Sequence, residues 1–253
     1  MFHHDRFFKN RHTVRKYTHS PVTDEEIARI VELASHAPTT GNMQLYSVVV
    51  TRDEILRNEL SPLHFNQPMV KECSAVLTFC ADFHRFEEWC LLSNARPGYG
   101  NFQSFITALL DTAIFAQQFC TIAEMNGLGC CYLGTTTYNA REIAAVLALP
   151  PMVVPVITIT LGHVDVASPD AGRLPVGAVL HMEQYHDYTA QEIRDLYAEK
   201  EARDDSRKFV EENNKETLAQ VFTDIRYTRE ANEHFSRLYF DFISDAGFSF
   251  PDG

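Results

Sequence analysis

The first amphipathic element along the chain is a helix that begins near Thr23. Thr23 and Glu26 have the spacing of a capping box, in which the hydroxyl and the carboxylate each accept a hydrogen bond from an orphan backbone amide. Apolar side chains then recur every three or four residues, at Ile27, Ile30, Val31 and Ala34. Pro38 predicts the end of this helix, because a residue that precedes proline is disfavoured in the helical conformation.

Four runs rich in apolar and β-branched residues predict strands, and helical patterns separate them. The runs are Ser47–Thr51, Ala75–Ala81, Cys130–Leu133 and Val153–Gly162. Ala75–Ala81 is almost entirely apolar, so we expect it to be buried on both faces. Short helices are predicted over Asp53–Leu60 and from Asn139, which caps with Glu142, to about Leu149. The alternation predicts an α/β or α+β core, and leaves parallel and mixed pairing open.

The longest helical pattern, Phe105–Asn126, is apolar around nearly its whole circumference. A helix of this kind is buried on every side, so we expect a central helix shared between two subunits. Gly127 is a candidate for the C′ residue that follows it. Before this helix, residues 84–102 contain Pro97, Gly98 and Gly100, which predicts an irregular, mobile segment near a site.

The composition changes after Tyr188. Residues 190–232 are dense in acidic and basic side chains, and helical spacing of apolar residues then resumes at Phe235, Leu238, Tyr239, Phe242 and Ile243. We therefore predict a core domain over residues 1–187. A helical C-terminal extension over residues 188–253 would pack on this core or on a partner subunit.

The charge balance limits the kinds of molecule that this protein is expected to bind. The 253 residues include 22 Lys and Arg against 34 Asp and Glu, a net charge of −12, which argues against nucleic acid because phosphate contacts need clustered basic side chains. We find neither a membrane span nor a signal peptide, and expect a cytoplasmic protein. The six cysteines lack CxxC spacing and are expected to be reduced and buried. Histidines such as His181 and His186 lack metal-site spacing, so no metal is expected.

The positions of the scarce cations are therefore informative. Arg11 and Arg15 flank Thr13 ahead of the first amphipathic helix, and a polar run, Thr39–Asn42, follows that helix. Cations, hydroxyls and amides at two distant points of the chain suit a ligand with an anionic group and a polar ring. Taken singly, these residues are more often solvated charges and loop caps, and only their combination favours a ligand.

A dinucleotide-binding fold is not favoured. Gly127–Gly134 contains three glycines, but the third is two residues too late for GxGxxG and the run follows a helix rather than a strand. A nicotinamide nucleotide would therefore bind as a visiting substrate. Neither HExxH nor GxSxG occurs, so hydrolytic enzymes are not favoured either.

In their order along the chain, these motifs resemble the FMN-dependent nitroreductase family. They are closest to its branch of NADPH-dependent nitroreductases and flavin reductases, typified by the bacterial oxygen-insensitive nitroreductase. The resemblance runs from about residue 10 to 190 and rests on Arg11–Arg15, Ala37–Gln44, Phe79–Phe83, Gly127–Thr135 and Arg173–Pro175. It implies an α+β nitroreductase fold with a mixed central sheet surrounded by helices, in an intertwined homodimer.

The resemblance also implies the site. FMN would lie between two subunits, with Arg11, Thr13 and Arg173 at its phosphate, Arg15 stabilising charge at the flavin N1 and O2 edge, and the segment Ala37–Gln44 supplied by the partner. No catalytic side chain other than Arg15 is implied. The complete implied set is Arg11, His12, Thr13, Arg15, Thr39, Thr40, Gly41, Asn42, Gln44, Gln67, Tyr132, Leu133, Gly134, Thr135 and Arg173.

The implied activity is the transfer of two electrons from NADPH or NADH to nitroaromatics, quinones or free flavins. One slot would serve both substrates, which implies a ping-pong mechanism. Two positions depart from the branch, since Ala171 replaces a Lys and His163 replaces a Trp after Gly162. The alternatives are a specialised FMN enzyme of the same superfamily, such as a dehalogenase-like member, and a non-catalytic flavin-binding or interaction protein.

Overall fold

The structure is a computed structural model that describes residues 5–166, 168 and 172–249. These residues form two compact units. One comprises the described residues up to 168 together with those from 235 onward, and the other comprises residues 172–234. This division differs from the predicted boundary after residue 187, and the assignment of domains stays a prediction.

The strands are β1 (Lys16–Tyr17), β2 (Tyr46–Thr51), β3 (Ala75–Asp82), β4 (Leu128–Leu133) and β5 (Val153–Val166). The first unit contains the helices α1 (Asp5–Lys9), α2 (Asp24–Ala34), α3 (Glu54–Leu63), α4 (Met69–Glu72), α5 (His84–Leu92), α6 (Phe102–Met125) and α7 (Ala140–Val146). The second unit contains α8 (Ala190–Ala202), α9 (Asp204–Glu212), α10 (Leu218–Val221) and the start of α11 (Arg229–Asp245), which continues into the first.

The sheet is organised around β5, which pairs with β1, β3 and β4, and β2 follows beyond β3. Every strand pair in the described part of the chain is antiparallel. The α+β class is confirmed, but the expected mixed sheet is corrected, because the parallel pairing described is a single bridge between Asn101 and Ser249. Helices α3 and α4 bring the chain back to the end of the sheet at which β2 finishes. β3 therefore runs beside β2 in the opposite direction.

The main core lies between this sheet and helices α2 and α6. Each residue of β3 is buried, as predicted. The ring of Phe79 on β3 packs edge-on against Phe115 and Phe119 of α6, with centroids 5.5 and 5.4 Å away. The predicted capping box of Thr23 and Glu26 begins α2, since both reciprocal hydrogen bonds are present.

Two local predictions are wrong. Residues 84–92 form α5 instead of an irregular segment, because the proline and glycines that suggested irregularity all follow it, within Pro97–Gly100. The side chain of Asn139 does not cap α7. Its amide nitrogen instead donates to the Leu63 carbonyl at 2.7 Å, which joins the turn before α7 to the end of α3.

The central helix α6 is not buried on every side within one chain. Leu110, Ile114 and Met125 are exposed by 55%, 42% and 57%. By length and composition alone α6 could also cross a membrane. This is weak evidence, because 44% of its most apolar stretch is buried inside the fold and core helices meet the same criterion.

The segment that contains β1 lies directly against β4 and β5. The Val14 amide donates to the Cys130 carbonyl at 3.0 Å, so this segment runs beside β4. A Cβ atom at Gly129 would lie 2.6 Å from the Cβ of Val14, and one at Gly162 would lie 2.7 Å from the ring of Tyr17. Both glycines are therefore required by the close approach of this segment to the sheet.

We expect Gly129→Ala to lower the free energy of unfolding by about 2 kcal/mol, because the new methyl group overlaps the buried Val14 side chain. Gly98→Ala is the control, since a Cβ atom there meets nothing within 4 Å. Urea unfolding of both variants measures the difference. Equal midpoints for the two variants would contradict the close approach.

Candidate functional site

The predicted site residues of the first unit fall into two groups. The first group lies at β4. Arg11–Arg15 runs alongside this strand, and Tyr132–Thr135 forms the end of the strand and the start of the turn after it. Gln67 is linked to Thr135 through His64. The second is Thr39–Gln44, just before β2. Since β3 and β5 separate β2 from β4, the two strands that carry these groups lie about 14 Å apart, which is three strand spacings.

Two cations lie next to β4. Burial raises the pKa of the Cys131 thiol on β4, and the positive charges of Arg15 and Arg11 offset part of that rise. Arg11 donates through Nε to Glu124 Oε1 at 3.2 Å, and its terminal nitrogens make no hydrogen bond within the described residues. Arg15 is exposed. After pairing with one carboxylate, this edge still carries positive charge that could bind an anion.

A cavity of about 420 Å³ opens beside Arg11 and His12. The Nδ1 atom of His12 lies 3.0 Å from the Asn10 carbonyl oxygen. Its Nε2 atom is buried and has no hydrogen-bond partner within the described residues. Buried polar atoms normally have a hydrogen-bond partner in the protein or an ordered water molecule. The described residues that line the cavity do not include Tyr132–Thr135, so the cavity covers only part of the predicted site.

A buried histidine that the sequence analysis missed links the end of β4 to the turn that contains Gln67. His64 is fully buried, and its Nδ1 atom lies 2.8 Å from Thr135 Oγ1. Gln67 donates through Nε2 to the His64 carbonyl at 3.1 Å. Burial lowers the pKa of His64 to about 4, so its imidazole is neutral near pH 7. No spacing in the sequence distinguishes this histidine from the others.

The turn after β4 leaves backbone accessible. Tyr132 and Gly134 are exposed, whereas Leu133 and Thr135 are buried. A Cβ atom at Gly134 would meet nothing within 4 Å, so a ligand can approach the main chain closely here. The hydroxyl of Thr136 donates to the Leu133 carbonyl at 3.0 Å and stabilises the turn.

The second group is attached to Asp111 of α6, another residue that the sequence analysis missed. Asp111 is buried, and its carboxylate accepts hydrogen bonds from Thr39 Oγ1 and, at 3.0 Å, from Thr40 Oγ1. The Thr40 amide donates to the same carboxylate at 2.9 Å. Both hydroxyls therefore donate within their own chain. The sequence signal that could have identified Asp111 is its position as a single carboxylate in the middle of an apolar helix.

The remaining residues of this loop adopt an unusual backbone conformation. Gly41, Asn42 and Gln44 have φ values of 55°, 56° and 55°. For asparagine and glutamine this conformation costs free energy and persists only where surrounding contacts enforce it. The three residues are exposed, so the loop presents two side-chain amides at the surface.

Arg173 lies in the second unit. It is exposed, its Nη1 atom donates to the Gly172 carbonyl at 2.6 Å, and it lines a cavity of about 210 Å³ with Lys200 and Arg203. Ala171 lies outside the described residues. The assignment of Arg173 to a phosphate stays a prediction.

We expect Asp111→Ala to lower the free energy of unfolding by about 3 kcal/mol, because the Thr39 and Thr40 donors lose their buried acceptor. The exposed Asp241, on α11, provides the matched control variant, Asp241→Ala. Denaturant unfolding measures stability, and amide hydrogen exchange over residues 39–45 reports on the loop. Unchanged exchange in Asp111→Ala would show that the carboxylate does not hold it.

Comparisons with known proteins assign the family. The model of the Nitroreductase family matches residues 8–163. The chain is 32% identical over 182 residues to an FMN reductase (NADPH) of Bacillus subtilis, covering 70% of this chain and 72% of that protein. It is 32% identical over 174 residues to an oxygen-insensitive NADPH nitroreductase of Salmonella typhimurium, covering 68% and 70%. A crystal structure of a protein from Bacteroides fragilis shares 51% identity and a TM-score of 0.95, covering 96% and 99%. The resemblance inferred from the motifs is thus confirmed, and the chain belongs to the nitroreductase family.

Proposed function

We propose that this protein is an FMN-dependent oxidoreductase that uses NADPH or NADH to reduce small molecules. The relatives named FMN reductase (NADPH) and oxygen-insensitive NADPH nitroreductase support the cofactor and the reductant. The structural observation that carries the proposal is that the segment Arg11–Arg15 runs beside β4, where the Val14 amide donates to the Cys130 carbonyl, close to the accessible turn that follows the strand. In a protein with a net charge of −12, such a cationic edge suits an anionic cofactor.

The residues present fit FMN. Arg11 and Thr13 would hold its phosphate, because guanidinium groups match oxyanion geometry. The accessible main chain at Gly134 would let the ring approach closely. Bound FMN supplies the two-electron chemistry that side chains lack. Arg15 would stabilise negative charge at the ring edge as a fixed, preorganised cation.

We further propose that two copies of the chain form each site. Within one chain Thr39–Gln44 lies just before β2, and β2 is about 14 Å from β4 across the sheet, so the corresponding loop of a second copy would have to complete the site. Leu110 and Ile114, exposed on α6, would be covered by that copy. Because Thr39 and Thr40 already donate to Asp111, the loop would contribute mainly through its amides.

A single open face of the flavin would serve reductant and acceptor in turn, which gives ping-pong kinetics. The proposed acceptors are nitroaromatics, quinones and free flavins.

The six buried cysteines are all reduced, which fits the cytoplasmic location predicted from the sequence.

The test is the visible spectrum of the purified protein before and after NADPH is added without air. We expect flavin absorption that bleaches with NADPH and returns with a nitroaromatic or a quinone, and FMN released on denaturation. A colourless protein that does not bind added FMN would overturn the proposal. If no nicotinamide nucleotide bleaches the flavin absorption, a non-catalytic flavin protein is favoured. If NADPH bleaches it but none of these acceptors is turned over, a specialised FMN enzyme is favoured.

We expect Arg15→Ala to slow flavin reduction by NADPH about 100-fold, since a fixed charge of this kind is worth about 3 kcal/mol. FMN affinity should fall by less than about tenfold, because Arg11 remains at the phosphate. Stopped-flow absorbance and flavin titration measure the two effects. The exposed Arg29 on α2 supplies the control Arg29→Ala. Equal losses of rate and affinity would contradict the role of Arg15.

We also expect the protein to sediment as a dimer whose FMN content follows its oligomeric state. Leu110→Glu would place a charge on the exposed face of α6, which should dissociate the dimer and release FMN together, because desolvating a carboxylate at an interface is costly. Analytical ultracentrifugation at the flavin absorption wavelength measures both. A monomer that retains flavin would exclude a site built from two chains.

A further inference from the structure

A cavity in the first unit is separate from the residues predicted to hold FMN. It has a volume of about 640 Å³ and is lined by residues 16–21, by Arg52 and Arg57 around the start of α3, by residues 71–74 at the end of α4, and by Asp165 of β5. Among the described residues that line it, none belongs to the predicted flavin site. Small-molecule sites have volumes of about 300 to 1,000 Å³, so this cavity is large enough for a ligand.

Positive charge is concentrated in this lining. Four of the 22 basic side chains of the protein line the cavity, and they come from β1, α4 and the start of α3: Lys16, Arg52, Arg57 and Lys71. The carboxylates of Glu72 and Asp165 offset half of this charge, which leaves the described lining at +2 with His19 neutral. The chain as a whole carries −12. A concave surface of one sign raises the local concentration of ions of the other, so this cavity attracts anions.

Most of these cations have no carboxylate partner. Arg52 is paired, since its Nε atom lies 3.0 Å from a carboxylate oxygen of Asp24. Lys16, Arg57 and Lys71 make no ion pair within the part of the chain that the structure describes, and neither do the two carboxylates of the lining. Like charges around one cavity repel each other, so an anion that binds between them relieves this repulsion.

The Arg57 side chain is held in place before a ligand binds. Its Nη1 atom donates to the Cys73 carbonyl at 2.8 Å and to the Lys71 carbonyl at 3.2 Å. These carbonyl oxygens orient the guanidinium group but do not neutralise it, and its Nη2 atom makes no hydrogen bond within the described residues. A side chain that is ordered in advance loses little conformational entropy when it binds an anion.

We propose that this cavity is a second anion site, which binds the phosphate group of a small molecule. A phosphate group carries a charge of about −1.5 to −2 near pH 7, which matches the charge of the described lining, whereas a carboxylate carries only one negative charge. Guanidinium and ammonium groups are both good donors to phosphate oxygens. The proposal does not depend on the proposed function, because the cavity and the predicted FMN site share no described residue.

Calorimetric titration of the purified protein tests the proposal. The protein keeps any flavin that it binds, so that the predicted FMN site is not available to the added anion. The ligands are inorganic phosphate, ribose 5-phosphate and, at the same ionic strength, acetate. We expect both phosphates to bind and acetate not to bind. Tighter binding of ribose 5-phosphate would identify an organic phosphate as the ligand, and equal binding would identify free phosphate.

Two lysine variants locate the binding. Lys16→Gln and Lys71→Gln each remove one charge from an exposed side chain that makes no hydrogen bond within the described residues, so both variants are expected to fold. We expect each to weaken phosphate binding about fivefold and the double variant about 25-fold, because the two side chains lie on separate elements. Arg29→Gln is the matched control, since it removes one charge from the exposed face of α2 and should bind phosphate like the wild type.

Chemical protection provides a second measurement that needs no variant. Lysine side chains are acetylated with and without phosphate, and mass spectrometry gives the rate at each position. We expect phosphate to slow the acetylation of Lys16 and Lys71 severalfold. Lys208, exposed on α9, should react equally fast in both cases.

Three results would overturn the inference. The first is phosphate binding no stronger than that of acetate. The second is wild-type phosphate affinity in the double variant of Lys16 and Lys71. The third is an equal loss in Arg29→Gln, which would show that phosphate responds only to the overall charge of the protein. The proposed function would remain intact in each case, because flavin absorption reports on FMN binding independently.

Discussion

The close approach of residues 11–17 to the sheet is the constraint on which the candidate site depends. Val14 and Tyr17 occupy the space above Gly129 and Gly162 that side chains would otherwise fill. Val14 and Tyr17 are buried, whereas Arg15 and Lys16 between them are exposed. The glycines therefore bring Val14 and Tyr17 against the sheet, and the two cations between them face outward.

The charges differ between the two groups of predicted residues. Arg11 and Arg15 make the β4 edge cationic, and Glu124 offsets only part of that charge. At the opposite edge, the buried Asp111 carboxylate already accepts the hydroxyl donors of Thr39–Thr40, so a phosphate there would face a negative charge without free hydroxyl donors. The proposed assignment of the phosphate to the arginines and of the loop amides to the ring follows from this difference.

The sequence predicted features that local pattern determines. The capping box at Thr23, the buried strand β3 and the long helix α6 were found because periodicity and composition report directly on burial and helix ends. The sequence could not predict that the sheet pairs antiparallel, because the direction of a strand depends on where its connections return. The sequence analysis also missed α5, because it extended the irregularity indicated by the helix breakers in Pro97–Gly100 back over residues 84–92, which contain no such breaker.

Both residues that the sequence analysis missed, His64 and Asp111, are buried and polar, and each binds a hydroxyl of a predicted site residue. Such groups leave no periodic pattern, because their partners lie 71 and 72 residues away in the chain. They also contribute little net stability compared with apolar replacements of similar shape. What they provide is a single geometry, since a buried donor or acceptor is satisfied in only one arrangement of its partner. His64 thus contacts Thr135, and Asp111 holds Thr39 and Thr40, beside the exposed residues that would supply contacts to a ligand.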